Sequence, residues 1–209
     1  MSPGLSPDAR LLKELRARTR AEHSEIEDLL QLTQPMSLER YAAIVRGFDA
    51  FLSRWEPQLA AALPAHLRDW SRQRTRAALA ARDLEHVAGD MPQADRATDS
   101  AADSAAERAL ADLPLTDTAS ALGSMYVIEG SALGGQVITP MLQQHLGLTP
   151  EAGASYFHGH GARTGAMWRD FREVITRELG DTETAIDAAC TSARRTFTAL
   201  CSVFKALPA

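Results

Sequence analysis

Apolar residues recur along this chain at intervals of three and four, the spacing that places them on one side of a helix. Leu12, Leu15, Ile26 and Leu30 follow this pattern in the first segment, with the small residue Thr19 between them. We find no segment that alternates between apolar and polar residues over the length of a strand. The pattern therefore predicts an all-α protein, folded as a single-domain multi-helix bundle that covers residues 1–209.

Proline, glycine and small polar residues predict where the helices begin and end. The string SPD at residues 6–8 starts the first helix and Pro35 ends it, whereas Ser37 starts a second helix that Pro57 bends or ends. Residues 88–105, AGDMPQADRATDSAADSA, are polar and predict a flexible loop. The other predicted helices cover residues 66–87, 106–111, 118–145, 165–179 and 182–206, with Asp117 or Thr118 as the cap of the longest one.

Charge and cysteine content narrow the classes of function. The 209 residues include 22 Lys and Arg against 27 Asp and Glu, a net charge of −5. Nucleic-acid-binding proteins usually carry a basic surface, so this balance argues against that class. Cys190 and Cys201 lie about 16 Å apart along one predicted helix, too far for a disulfide. No apolar run has the length of a membrane span or signal peptide. We therefore expect a cytoplasmic protein with no nucleic-acid or membrane partner.

His23 lies on the apolar stripe of the first predicted helix, which places its imidazole on the inward side. A lone histidine there is most often a core residue. Glu27, one turn later, can accept the proton of one ring nitrogen, as the partners of metal-bound histidines do. Arg16 and Arg20 lie near the same side of the helix, where surface ion pairs are the simpler explanation. A metal centre that carries carboxylate groups would account for all four residues together.

The longest predicted helix contains three glycines within one and a half turns, Gly130, Gly134 and Gly135. Each costs about 1 kcal/mol relative to alanine in a helix, so each requires a compensating role. One explanation is tight helix packing through Gly130 and Gly134. The other is close approach of the backbone to a flat ligand. The string GSALGG lacks the residues of a phosphate-binding loop and the spacing of a dinucleotide fingerprint.

Two strings taken together resemble the haem oxygenase family. LKELRARTRAEHSEIE, residues 12–27, resembles the family's proximal helix, which ends in the iron-ligating histidine. MYVIEGSALGGQVI, residues 125–138, resembles its distal helix, whose glycines lie over the haem face. The second string, together with YFHGHG and TGAMWRDF, is most similar to bacterial members that supply biliverdin to bacteriophytochromes. The similarity spans most of the chain and implies a haem oxygenase-like bundle.

The resemblance assigns a role to each matching residue. His23 becomes the iron ligand and Glu27 its hydrogen-bond partner, while Gly130, Ser131 and Gly134 form the catalytic distal face. The implied haem-contacting residues are Arg16, Arg20, Met125, Gly135, Arg169 and Phe197, with the arginines near the propionates. Mammalian members have an aspartate where this chain has Ser131, so the path that delivers protons to bound dioxygen must differ here.

The resemblance also implies the reaction and its partners. Haem b would be both substrate and prosthetic group, cleaved with dioxygen to biliverdin, carbon monoxide and ferrous iron, at the α position in this bacterial group. The sequence has no flavin or nicotinamide fingerprint, so a separate reductase or ferredoxin would supply electrons, and a bacteriophytochrome would be a possible acceptor of the product. The alternative is a haem chaperone or sensor of the same fold that does not cleave its ligand.

Overall fold

A computed structural model of the chain describes residues 7–89 and 96–207. These residues are almost entirely helical and include no strand, only isolated bridges at Thr149. The helices are α1 (Pro7–Arg18), α2 (Arg20–Leu30), α3 (Leu38–Ala62), α4 (Ala65–Arg72), α5 (Ala77–Gly89), α6 (Arg96–Ala111), α7 (Thr118–Leu146), α8 (Ser155–His158), α9 (Thr164–Leu179) and α10 (Glu183–Lys205). A 3-10 turn at Gly161–Arg163 precedes α9. The predicted all-α, single-domain architecture is confirmed.

Helix α10 lies at the centre of the bundle and packs against α1, α2, α3, α6 and α7. Its contact with α7 is especially close. A Cβ atom added to Gly123 of α7 would lie 2.2 Å from the carbonyl oxygen of Ala189 on α10. On the outer side, α3 packs against α5 and α6, and α9 packs against α1 and α7. This arrangement holds α2 and α7 on the same central helix.

Several predicted helix ends are confirmed by their capping interactions. The Ser37 hydroxyl accepts a hydrogen bond from the backbone N–H of Arg40 at the start of α3. Asp117 and Ser120 form a reciprocal capping box at the start of α7. Pro57, however, does not end the second helix, because α3 continues through it to Ala62. Trp55 and Leu59, buried on either side, hold this helix in the core across the missing N–H.

The first predicted helix is divided at Thr19. The backbone leaves helical geometry there, and the buried Thr19 hydroxyl donates to the carbonyl oxygen of Leu15 at 2.7 Å. Such local side-chain bonds compete with regular helix geometry. The predicted helix 66–87 is likewise divided into α4 and α5. The Glu56 carboxylate accepts from the backbone N–H groups of Arg76 and Ala77, at 2.6 and 2.9 Å, and so caps the start of α5.

The predicted loop at residues 88–105 is wrong at both ends. Residues 88–89 still belong to α5, and from Arg96 onward the chain forms α6, while residues 90–95 lie outside the described part. The loop was predicted from the lack of large apolar residues, and this criterion overlooks helices that pack through alanine. Ala102, Ala106 and Ala109 follow helical spacing and are buried where α6 packs on α3 and α10. Alanine is the strongest helix former and permits close packing, although it contributes little to an apolar pattern.

Two short elements lie between α7 and α9, namely α8 and the 3-10 turn. The predicted final two helices are confirmed as α9 and α10. Within residues 7–89 and 96–207, no helix is both long enough and apolar enough to span a lipid bilayer.

Candidate functional site

Helices α2 and α7 both pack on α10, and we infer a cleft between α2 and the middle of α7. Burial raises the pKa of the Tyr126 phenol, and the positive charge of Arg16 opposes this rise. Arg16 therefore lies near Tyr126. Further along, Leu32 and Gln34 border the same small pocket as Leu142. The two segments therefore run in the same direction and meet at both ends. Their middle parts, near His23 and near Gly130 and Gly134, line what we call the α2–α7 cleft.

His23 lies at the border between α2 and α10. Its side chain is 56% exposed, so the expected inward position is wrong in this respect. Ile26 and Leu30 form the buried stripe of α2, and the break at Thr19 shifts this stripe relative to that of α1. The ring packs edge-on against Phe197 of α10, with 5.7 Å between ring centroids. Nδ1 lies 3.2 Å from the Glu27 carboxylate, which leaves Nε2 without a partner among the described residues.

The glycines of α7 fall into two groups with different surroundings. Gly135 touches another backbone, because an added Cβ would lie 1.8 Å from the carbonyl oxygen of Phe157. Gly130 and Gly134 have no such packing partner. Added Cβ atoms there would meet only side chains, those of Trp168 at 3.9 Å and Ile138 at 3.6 Å. We call Gly130 and Gly134 the distal glycines. Helix packing, one of the two explanations drawn from the sequence, therefore applies to Gly135 and not to this pair.

Solvent-exposed apolar side chains lie on the same side of α7 as the distal glycines. Leu133 and Val137 are the large hydrophobic residues exposed within the described part of the chain, at 38% and 58%. At 100° per residue, Val137 projects within about 20° of Gly130 and Leu133 within about 60°. Exposed apolar surface of this kind commonly marks a binding site. The distal side of the cleft is thus glycine-lined and apolar.

Three arginines predicted to bind carboxylates lack an acidic partner in the described part of the chain. Arg16, Arg20 and Arg169 are exposed and form no ion pair there. Arg18, between the first two, behaves differently, since it pairs with Glu14 at 2.8 Å and with Asp187. Arg16 and Arg20 lie on the two sides of the Thr19 break, near the His23 end of the cleft. Arg169 lies on α9, which packs against both α1 and α7.

Ser131 lies beside the first distal glycine and is held from behind. Its hydroxyl donates to the carbonyl oxygen of Ile128 at 2.8 Å and accepts from Nη2 of Arg76, also at 2.8 Å. Arg76 is 3% exposed, and the same Nη2 donates to the Ile128 carbonyl at 2.5 Å. No local sequence pattern marks Arg76. Its position just before α5 becomes meaningful only when that helix packs near α7.

The buried ion pair of Arg74 was also missed. Arg74 is 6% exposed and donates to Glu129 at 2.7 Å, to Asp170, and to the carbonyl oxygen of Met167. Burial raises the pKa of Glu129, while the charge of Arg74 acts in the opposite direction. The sequence did contain a signal. Glu129 is the only Asp, Glu, Lys or Arg in Thr118–Leu146, and a lone carboxylate in such an apolar helix requires a buried partner.

Two residues assigned to haem contacts do not face the cleft. Met125 is 2% exposed and lines a small cavity with Trp55 and Glu129, on the α3 and α4 side of α7. It lies about 140° around the helix from Gly130. Gly135 is offset from Gly130 by the same angle and packs on α8. The resemblance rests on consecutive residues of the sequence. In a helix, consecutive residues project in different directions, so residues of one matching string need not face the same site.

Comparison with known proteins gives a consistent assignment. The family model described as heme oxygenase matches residues 9–206. A search of curated protein sequences finds no significant match. Among solved structures, the chain is similar to the heme oxygenase from Neisseria meningitidis, studied with NO and CO bound. Their identity is 26% and their TM-score 0.66, over 99% of this chain and 95% of the other.

A second solved structure supports the fold. It is heme oxygenase 2 from Chlamydomonas reinhardtii without heme, with 16% identity and a TM-score of 0.65 over 98% of both chains. The family model extends from α1 to the end of α10, and therefore includes both sides of the α2–α7 cleft. The chain belongs to the haem oxygenase family of haem-degrading oxidoreductases.

Proposed function

We propose that this protein cleaves haem b to biliverdin, carbon monoxide and ferrous iron, using dioxygen and electrons from a separate donor protein. The observation that carries the proposal is the open face of Gly130 and Gly134 across the cleft from His23. Each distal glycine destabilises the helix by about 1 kcal/mol relative to alanine, and neither is required for packing. Close contact with a flat apolar ligand held between α2 and α7 explains why glycine is present at both positions.

The residues of the cleft fit haem on three counts. His23 presents a free Nε2, the arginines are available for two propionates, and Leu133 with Val137 offers an apolar surface to the porphyrin. Glu27 accepts from Nδ1 and thereby fixes the tautomer in which Nε2 is unprotonated. We assign His23 as the iron ligand and Glu27 as the residue that orients it. Phe197 restricts rotation of the imidazole from the α10 side.

Arg16, Arg20 and Arg169 would hold the two propionates of the haem. Charge-assisted pairs have directional preferences, so these arginines would orient the bound ring. We propose that this orientation presents the α-meso carbon, which would give the IXα isomer of biliverdin.

The distal glycines remove side chains from the face opposite His23. Without a Cβ, the helix backbone can approach the ligand closely and bulky groups do not block the iron. When bound, haem supplies the iron that activates dioxygen and the carbon that is oxidised. The chain itself contributes orientation, exclusion of bulk water, and the polar group of Ser131 beside Gly130. We propose a reductase or ferredoxin as the donor, and a bacteriophytochrome as a possible acceptor of biliverdin in the cytoplasm.

Haem titration of three proteins tests the assignment of His23. We expect the wild type to bind one haem with a sharp Soret band, and His23→Ala to lose or shift that band. His66→Ala is the matched control, because His66 is also exposed, at 61%, and also lies beside a carboxylate, 3.0 Å from Glu178. An equal response of both variants would contradict the assignment of His23.

Turnover separates the enzyme from a haem chaperone or sensor of the same fold. With a reductant and air, the Soret band of the wild-type complex should disappear as the haem is consumed. Haem that stays intact after many equivalents of electrons would favour the carrier or sensor. If the wild type does not bind haem at micromolar concentration, both functions are excluded.

A further inference from the structure

Two arginines are buried near α7, and only one of them forms an ion pair among the described residues. Arg74 binds Glu129 and Asp170. The guanidinium of Arg76 has no carboxylate within ion-pair distance among the described residues, although the residue is only 3% exposed. Its hydrogen-bond acceptors are neutral, the carbonyl oxygen of Ile128 and the hydroxyl of Ser131. A buried charge with neutral partners is costly to the fold, so its position calls for a functional explanation.

Two buried carboxylates lie near Arg76 without forming an ion pair with it. Burial raises the pKa of Glu56 and of Glu129, and the charge of Arg76 opposes the rise in both. Glu56 uses its carboxylate on the backbone N–H groups at the start of α5. The ring of Tyr156 lies against the guanidinium, with 5.0 Å from the guanidinium carbon to the ring centroid. His160 lies within the same field. Burial is the largest cause of its lowered pKa, and the charges of Arg76, Arg163 and Arg74 lower it further.

The hydrogen bonds at Ser131 define what this hydroxyl can offer to the cleft. Its single proton is donated to Ile128, and Arg76 occupies one of the two lone pairs. The buried Tyr156 side chain lies beside the same hydroxyl. In this arrangement Ser131 has no proton to donate to the cleft.

We propose that Arg76 is a positioning residue for the distal side of the haem site. It helps to orient the Ser131 hydroxyl, and it places a positive charge, without an ion pair among the described residues, behind the distal glycines. The charge favours negatively charged ligands over neutral ones on the side of the haem opposite His23. The inference rests on the proposed binding of haem in the α2–α7 cleft.

Ligand affinities of the haem complex test this role without a measurement of turnover. Azide and fluoride carry a negative charge, whereas carbon monoxide is neutral and serves as the internal control. We expect Arg76→Met to weaken the binding of both anions to the ferric complex by about tenfold. This is the effect expected from removing one positive charge at an effective dielectric constant near 20. Affinity of the ferrous complex for carbon monoxide should change by less than about twofold.

A charge-conserving variant separates charge from structure. Arg76→Lys keeps the charge and should retain anion affinity within about threefold. If Arg76→Met does not fold, Arg76→Gln replaces it in the same comparison. Unchanged anion affinity in the uncharged variant would overturn the proposal. An equal loss for anions and carbon monoxide would also overturn it, since that result indicates only a structural role. A wild type that does not bind haem would refute the proposed function instead.

Discussion

At the scale of single residues, the distal glycines are the most informative feature, because they lack a side chain. Replacing Gly134 by alanine introduces a methyl group that meets only the Ile138 side chain, at 3.6 Å. The helix itself gains, because alanine is favoured over glycine by about 1 kcal/mol. We therefore expect Gly134→Ala to raise the free energy of unfolding of the haem-free protein by up to about 1 kcal/mol. The same variant should bind haem more weakly, which a urea titration and a haem titration would measure.

Gly135→Ala is the matched control for that experiment. Its Cβ would lie 1.8 Å from the carbonyl oxygen of Phe157, so α7 and α8 would have to separate. We expect a loss of about 1–3 kcal/mol of stability, the range typical of overpacking. If both variants were destabilised alike, the distal glycines would be packing residues and the argument for a ligand would lose its basis.

The sequence identified one side of the site better than the other. Glu27 follows His23 by one helical turn, so local spacing alone predicted the contact between them. Arg76 contacts Ser131 across 55 positions of sequence, and no local pattern encodes such a pair. Met125 shows the opposite error. It belongs to a string that resembles the family, yet its side chain points towards α3.

At the scale of elements, a short helix supports α7 from behind. Asp83 of α5 is 1% exposed and accepts from the backbone N–H groups of Ser155 and Tyr156 and from the Ser155 hydroxyl, at 2.7–2.9 Å. These bonds hold the start of α8, which packs against α7 at Gly135. We expect Asp83→Ala to lower the free energy of unfolding by about 3 kcal/mol, because it leaves buried donors without acceptors. Urea denaturation would measure this change.

Asp69→Ala provides the contrast, since Asp69 is exposed and, among the residues that the structure describes, pairs with Arg72 alone. Its loss should change stability by less than about 1 kcal/mol. Similar values for the two variants would show that Asp83 does not anchor α8.

Long helices were predictable from the sequence, and their interruptions were not. Asp117 and the apolar residues of α7 define that helix locally. The division between α4 and α5 depends on Glu56, which reaches from a different helix to cap α5. Helix α6 depends on alanines whose burial is decided by α3 and α10. Interactions between elements therefore account for most of the differences between prediction and structure.

At the scale of the whole molecule, the central helix carries two buried thiols. Cys190 and Cys201 are 1% and 3% exposed, and burial raises the pKa of each to about 11. We expect neither thiol to react with a disulfide reagent at pH 8 in the folded protein, and both to react after unfolding. Rapid reaction of the folded protein would contradict the central, closely packed position of α10.

The same pKa values predict a loss of stability in alkali. The unfolded chain releases the thiol protons near pH 9, whereas the folded protein retains them until about pH 11. The protonated thiols therefore stabilise the folded protein fully below about pH 9. This contribution, on the order of 2 kcal/mol for each thiol, is lost as the pH rises towards 11. Urea titrations across this range should show a smaller decline for a variant with both cysteines replaced by alanine. An identical decline in the two proteins would contradict this explanation.

The bundle brings together what no single helix contains: the imidazole of His23 on α2, an open glycine face on α7, and arginines of α1, α2 and α9 that form no ion pair within residues 7–89 and 96–207. Chromatography of the products formed from the haem complex in air with a reductant tests this account most directly. We expect biliverdin, mainly the IXα isomer, from the wild type and from His66→Ala, and little or none from His23→Ala. Recovery of intact haem from the wild type, or equal biliverdin from His23→Ala, would contradict it.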